Sequence, residues 1–191
     1  MIHDFVLYGV RTRSAGNLDI QNNIVSGVRP DKKPLNETAL LKWDWPTGGF
    51  DLHSATAMTV YNNSASGTWH FGFRMPAIKC EDTSPVNRIS DNTAHSVSGF
   101  GVIVSAGGGS KCSEFTKFVG YKNELASIHM NTGAHSLCKD NIVIDSAYGL
   151  AVFAGSGGHV EVKDNYIYGS KGMLNSDCPL SENGKCGCKR R

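Results

Sequence analysis

Three His-Ser pairs recur along the chain, His53–Ser54, His95–Ser96 and His135–Ser136. A serine activated by a histidine is a nucleophile, provided a carboxylate stands behind the ring. Adjacent residues of a β-strand point to opposite faces, so on a strand the members of one pair cannot serve each other. Their repetition assigns them instead to a recurring structural position. Carboxylates recur as well: Asp91, Asp140 and Asp164 stand 49 and 24 residues apart, with Lys139 and Lys163 beside the last two. Carboxylates on one face supply the acid and base of glycoside hydrolysis, and an Arg or Lys base makes a lyase, with Arg74 and Arg88 as candidates. The same pattern suits a solvent-facing corner kept soluble by alternating charge, and that is the reading adopted. Trp43, Trp45 and Trp69, with Tyr61, offer flat faces for glycan contact, or else anchor a loop against the body.

The six cysteines are Cys80, Cys112, Cys138, Cys178, Cys186 and Cys188. Structural zinc takes two closely spaced ligand pairs. Only Cys186 and Cys188 are that close, so all six are disulfide candidates, and neither a metal nor a cofactor is expected. Disulfides belong to oxidising compartments. So do the glycosylation sequons N-E-T at Asn36 and N-N-S at Asn62. The opening MIHDFVLYGV nevertheless lacks the basic start and cleavage site of a secretory signal. The two observations are reconciled if the chain is an internal fragment of a larger secreted precursor. No apolar run is long enough to span a bilayer, so a membrane link would run through an anchor outside this sequence. Charged residues make up 19% and the net charge is +2, with no basic stripe, which excludes nucleic acid as a principal partner.

The elements that carry these residues repeat. KDNIVIDSAYGL (139–150) is followed by KDNYIYGSKGML (163–174), and earlier segments share the pattern of short strand, polar pair, short strand and small-residue turn. Asn92, Lys117, Asn141 and Asn165 fall in one column at spacings of 25, 24 and 24, with Asn63 and Asn23 further upstream. A period in the twenties signals a solenoid. There is no leucine scaffold, and the strands are β-branched and aromatic. The expected fold is therefore all-β, a right-handed parallel β-helix of roughly 24-residue coils. It is expected to span 1–179 with an exposed insertion at 29–49, followed by a Cys-rich basic tail at 180–191. Asparagine tolerates the left-handed turn conformation, and its amide can bond to the same amide one coil away. Asn63, Asn92, Asn141 and Asn165 are thus read as an asparagine ladder, interrupted by Lys117.

Asn62–Gly67, Gly72–Arg74, Cys80 and Asn92–Ser96, with Asn175–Pro179 later, occur in an order that resembles the parallel β-helix region of the fibrocystin family, relatives of the G8-domain hyaluronan-binding proteins. The resemblance covers about Asn17 to Pro179 and lacks the G8 domain. It implies an extracellular or cell-surface glycoprotein, with cilium association known in the family. The function expected is a structural or adhesive module. Its apolar opening strand leaves an uncapped coil, open to neighbouring domains of a larger chain or to head-to-tail self-association. The alternative is a carbohydrate-binding or carbohydrate-cleaving β-helix.

Overall fold

The computed structural model describes residues 2–3, 8–12, 18–28, 47–53, 58–76, 78–79, 88–105, 112–132, 135–154 and 159–169. Expectations placed on Asn36, Trp43, Trp45, Cys80, Cys178, Cys186, Cys188 and the basic tail lie outside the described residues, as does the side chain of Cys112.

The chain is a parallel β-helix. The first face stacks seven strands in the order β1 (Ile2–His3), β4 (Ile24–Ser26), β7 (Ser64–Ser66), β11 (Asn92–His95), β14 (Phe118–Tyr121), β17 (Ile142–Ile144) and β20 (Tyr166–Tyr168). The second stacks β2 (Tyr8–Arg11), β5 (Gly48–Asp51), β8 (Phe71–Pro76), β12 (Phe100–Ser105), β15 (Ala126–Thr132) and β18 (Tyr148–Ala154). The third is split. One sheet joins β3 (Leu18–Gln21), β6 (Met58–Tyr61) and β10 (Arg88–Ser90), and the other joins β9 (Ile78–Lys79), β13 (Cys112–Thr116), β16 (His135–Lys139) and β19 (Val160–Lys163). Every pairing is parallel except β9 with β13, a departure from the wholly parallel expectation.

Two columns of left-handed residues make the corners. Between the third face and the first stand Asn22, Asn62, Asp91, Lys117, Asp140 and Asp164, with φ between 53° and 58°. Between the first and the second stand Gly27, Gly67, Ser96, Lys122 and Asp145, with φ between 50° and 70°. Asn, Asp and Gly dominate both columns because they enter this region at least cost. Lys117 therefore belongs to the turning column and not, as the spacing suggested, to the asparagine ladder. The ladder position is the next residue, so its column runs Asn23, Asn63, Asn92, Phe118, Asn141 and Asn165.

The amides in this column join neighbouring coils. Asn63 Nδ2 donates to Asn92 Oδ1 at 3.1 Å and to the Ile20 carbonyl at 2.8 Å. Asn23 bonds to Asn63 in the same way, and Asn141 to Asn165. Phe118 replaces the amide with a ring, set edge-on to Phe73 at 6.1 Å and tilted against Phe115 at 5.7 Å. Behind it the apolar interior continues through stacked Phe50 and Phe73, centroids 4.7 Å apart.

A further column determines how closely the faces approach. Gly9, Gly49, Gly72, Gly101, Ser127 and Gly149 share one position on the second face. Opposite them on the first face lie Val25, Ala65, Ala94, Gly120, Val143 and Ile167. A Cβ on Gly72 would sit 2.7 Å from Ala94 Cβ, and one on Gly149 would sit 2.6 Å from Ile167 Cγ2. The single serine in the glycine column faces the single glycine opposite: a Cβ on Gly120 would meet Ser127 Cβ at 2.7 Å. Close packing permits one side chain at that level, not two.

Candidate functional site

The fold disperses most of the residues that sequence singles out for chemistry. His95 ends a strand and Ser96 is left-handed, so Nδ1 and Oγ meet at 3.2 Å, contrary to the strand argument that kept them apart. The ring stacks on Tyr121, centroids 4.5 Å apart. Its pKa is lowered by burial and then by Lys122, a cation where a triad needs a carboxylate. His53 bonds to Asp51 through Nδ1 at 2.6 Å, whereas Ser54 and the side chain of His135 lie outside the described residues. Asp91, Asp140 and Asp164 are exposed members of the turning column, and Lys139 pairs with Glu114 at 3.2 Å. Those carboxylates line a corner, each committed to a left-handed turn.

Asn62 is exposed and belongs to the same turning column, with its Nδ2 donating to Asn22 Oδ1 at 2.8 Å. The buried ladder amide is its neighbour Asn63. The sequon asparagine therefore faces solvent. Trp69 is half-buried in the turn before β8, its N–H bonded to the Val28 carbonyl at 3.0 Å. Among the described residues Cys138 is a free thiol buried in the core. Burial pushes the thiol up to about 12, against an opposing hydrogen bond from Asn141 Nδ2 at 3.4 Å. Stacked between Phe115 and Val162 in its column, the sulfur is a packing group.

Sequence reasoning missed a charged cluster on the outside of the second face. Asp51 is fully buried, between His53 and Arg11, whose Nε lies 3.4 Å from Oδ2 and whose guanidinium covers the Tyr8 ring at 4.5 Å. Arg11, Asp51 and Arg74 are register partners on successive strands. Their separations of 40 and 23 residues hid that relation, because the insertion breaks the period. Among the described residues no three His, Cys, Asp or Glu side chains gather as metal ligands do.

Among the described residues the regular pattern is left open at its last coil. In the inner column of the first face, Val25 and Val143 are sealed, whereas Ile167 is 52% exposed. Val162, inward on β19, is 48% exposed, and Tyr148, Phe153, Tyr166 and Tyr168 are exposed in the outward columns of the last described strands. Among the described residues no strand pairs with the outer edges of β18, β19 and β20, nor at the opposite end with β1, β2 and β3. The ladder also stops short. Each amide oxygen accepts from the coil before it, yet Asn23 Oδ1 has no such donor and the Asn165 N–H no such acceptor among the described residues. An exposed edge beside an open apolar interior is suited to strand pairing.

No family model matches the sequence, and no curated protein or solved structure matches it either.

Proposed function

We propose that the chain is a structural module of an extracellular, fibrocystin-like protein: a rod of stacked coils that joins further rods end to end. The supporting observation is the contrast within one column, sealed at Val143 and open at Ile167. A solenoid that works as an isolated unit covers its terminal coils with polar surface. Among the described residues the last coil presents apolar Val162 and Ile167 and strand edges without a partner instead. The extracellular setting rests on the family resemblance and on the solvent-facing sequon at Asn62. The carboxylate columns support a scaffold rather than an enzyme, since each Asp in them serves a turn.

Sedimentation velocity over a concentration series tests this reading. The expected result is an open-ended series of species that grows with concentration, because a heterologous contact does not close on itself. A single sharp boundary of monomer mass up to the highest soluble concentration would rule the joining role out.

A further inference from the structure

We infer that the outside of the second face carries a binding site for a tetrahedral oxyanion, a sulfate or phosphate group, built from Arg11, His53 and Arg74 around Asp51. The site lies on the flank of the solenoid and does not depend on whether rods join end to end. Arg11 on β2, Asp51 on β5 and Arg74 on β8 occupy one outward position on successive rungs, about 5 Å apart. His53 follows the end of β5 by two residues and returns to Asp51. All three basic side chains therefore start within reach of the same carboxylate.

The hydrogen bonding there leaves donors in excess. Asp51 Oδ1 accepts from His53 Nδ1 at 2.6 Å. A carboxylate only accepts, so that bond fixes a proton on Nδ1 and leaves Nε2 for a ligand. Arg11 Nε lies 3.4 Å from Asp51 Oδ2 but outside hydrogen-bond geometry, and Oδ2, though buried, has no donor. The Arg11 guanidinium rests over the Tyr8 ring, a contact that uses none of its N–H groups. Among the described residues no ion pair or hydrogen bond engages the Arg74 side chain, which is half-buried. A partly desolvated guanidinium without an anion is costly. Asp51 is also the only carboxylate among the described outward residues of the second face. Two guanidinium charges against one carboxylate leave positive charge unbalanced, before the imidazole is counted.

The number and kind of donors select the ligand. A guanidinium edge pairs with an oxyanion through two parallel N–H bonds. A carboxylate has two oxygens, which one arginine satisfies. A sulfate or phosphate has oxygens enough for both arginines and for His53 Nε2, which donates when the ring carries a second proton and accepts from a phosphate hydroxyl when it does not. The Arg11 and His53 side chains are 38% and 34% exposed, so the approach is open. Beyond Arg74 the column continues with buried Ile103, which sizes the site for a single group and not for a polyanion laid along the rod.

The test uses the full chain, with NMR of the histidine rings and arginine Nε–H groups during titration with sodium sulfate, phosphate, methyl phosphate or acetate. Chloride holds the ionic strength constant. Sulfate and phosphate are expected to give saturable shifts confined to Arg11, His53 and Arg74. Methyl phosphate binding as well as phosphate would identify the group as one carried on an ester, and weaker binding would identify a free ion. Arg74→Gln, at a side chain that bonds nothing in the free protein, is expected to keep the wild-type urea midpoint and to weaken sulfate binding about tenfold or more. Arg74→Lys, which keeps the charge without the fork, is expected to recover only part of that loss. Shifts that rise without saturating, or that are the same in wild type and both Arg74 variants, overturn the site and leave these cations as solvated surface. Acetate binding as tightly as sulfate overturns the tetrahedral assignment.

Discussion

At Asn63 and Asn92 the first corner is closed by amides, and at Phe118 the same place is closed by an aromatic ring. The amide does two jobs. Asn92 Oδ1 accepts the Asn63 N–H at 3.1 Å, while Asn92 Nδ2 donates to the carbonyls of Ser90 in its own coil and Val60 in the preceding one. That last bond ties neighbouring third-face strands together. Phe118 accepts the corner's geometry, giving its own N–H to Asn141 Oδ1 at 2.9 Å, but has no donor to reach backward. The third face splits at that level: β10 and β13 do not pair, and β13 turns its edge to the antiparallel β9. A ring can fill the column, but only an amide cross-links it.

The comparison is most severely tested by removing each group. Phe118→Ala empties a fully packed site beside Phe73 and Phe115 and is expected to cost about 3–5 kcal/mol of unfolding free energy in urea. Asn92→Ala removes the bonds that its amide gives to the Val60 and Ser90 carbonyls and accepts from the Asn63 N–H, at roughly 2–4 kcal/mol in total, while the Ser90 carbonyl keeps the Asn62 N–H at 3.4 Å. The two losses should differ in kind. Hydrogen exchange in β6 and β10 is expected to accelerate in Asn92→Ala, where the cross-link is gone, and to stay near wild type in Phe118→Ala. Equal protection of β6 and β10 in the two variants would deny the amide its cross-linking role.

A smaller effect examines the other closure, between the first and second faces. Gly120→Ala drives a methyl into Ser127, an overpacking expected to cost about 1–3 kcal/mol. Ser127→Gly removes hydrogen bonds with Asn123 at 3.0 Å and Ser146 at 2.7 Å, costing about 1 kcal/mol. In the double variant the methyl takes the room the serine leaves, so the sum of the single losses should exceed the double loss by about 0.5 kcal/mol or more. Strict additivity would mean the two columns do not share that space.

These details separate what the sequence displays from what it conceals. The fold is legible because its signal repeats: strand, left-handed Asn or Asp, strand, small turn. The ladder is legible through Asn141 and Asn165, whose coils carry no insertion. Lys117 misleads because a long polar side chain resembles a ladder defect, whereas backbone φ alone separates the turning column from the column beside it. The glycine column leaves a trace in Tyr8-Gly9, Phe71-Gly72, Phe100-Gly101 and Tyr148-Gly149, an aromatic-glycine pair in four of its six members. Its meaning emerges only when Val25 or Ile167 is seen across the interior. The Arg11–Asp51–Arg74 column is concealed by the insertion, and the open end by the fact that exposure is not written in residue type.

The smallest effect bears on two histidines on the second-face side of the solenoid, His70 buried and His129 half-buried. His70 is held by Thr47 Oγ1 at 2.6 Å, and His129 lies between Phe100 and Phe153 at 4.7 and 5.0 Å. Burial lowers both pKa values below the ordinary 6.5, because a desolvated imidazolium is unfavourable. The unfolded chain therefore binds more protons than the folded one between the two values, and stability rises with pH across that window. The contribution is complete above 6.5 and is lost as pH falls through the lowered folded values. Between about pH 7.5 and about pH 5.5 the ceiling is roughly 1.4 kcal/mol per histidine, since the unfolded ring titrates only one pH unit above the lower limit. Urea midpoints at the two pH values are expected to fall on acidification in the wild type, and the fall should shrink in His70→Gln and again in the double variant with His129→Gln. A fall that is the same in all three would assign acid sensitivity to other groups and leave these rings as packing alone.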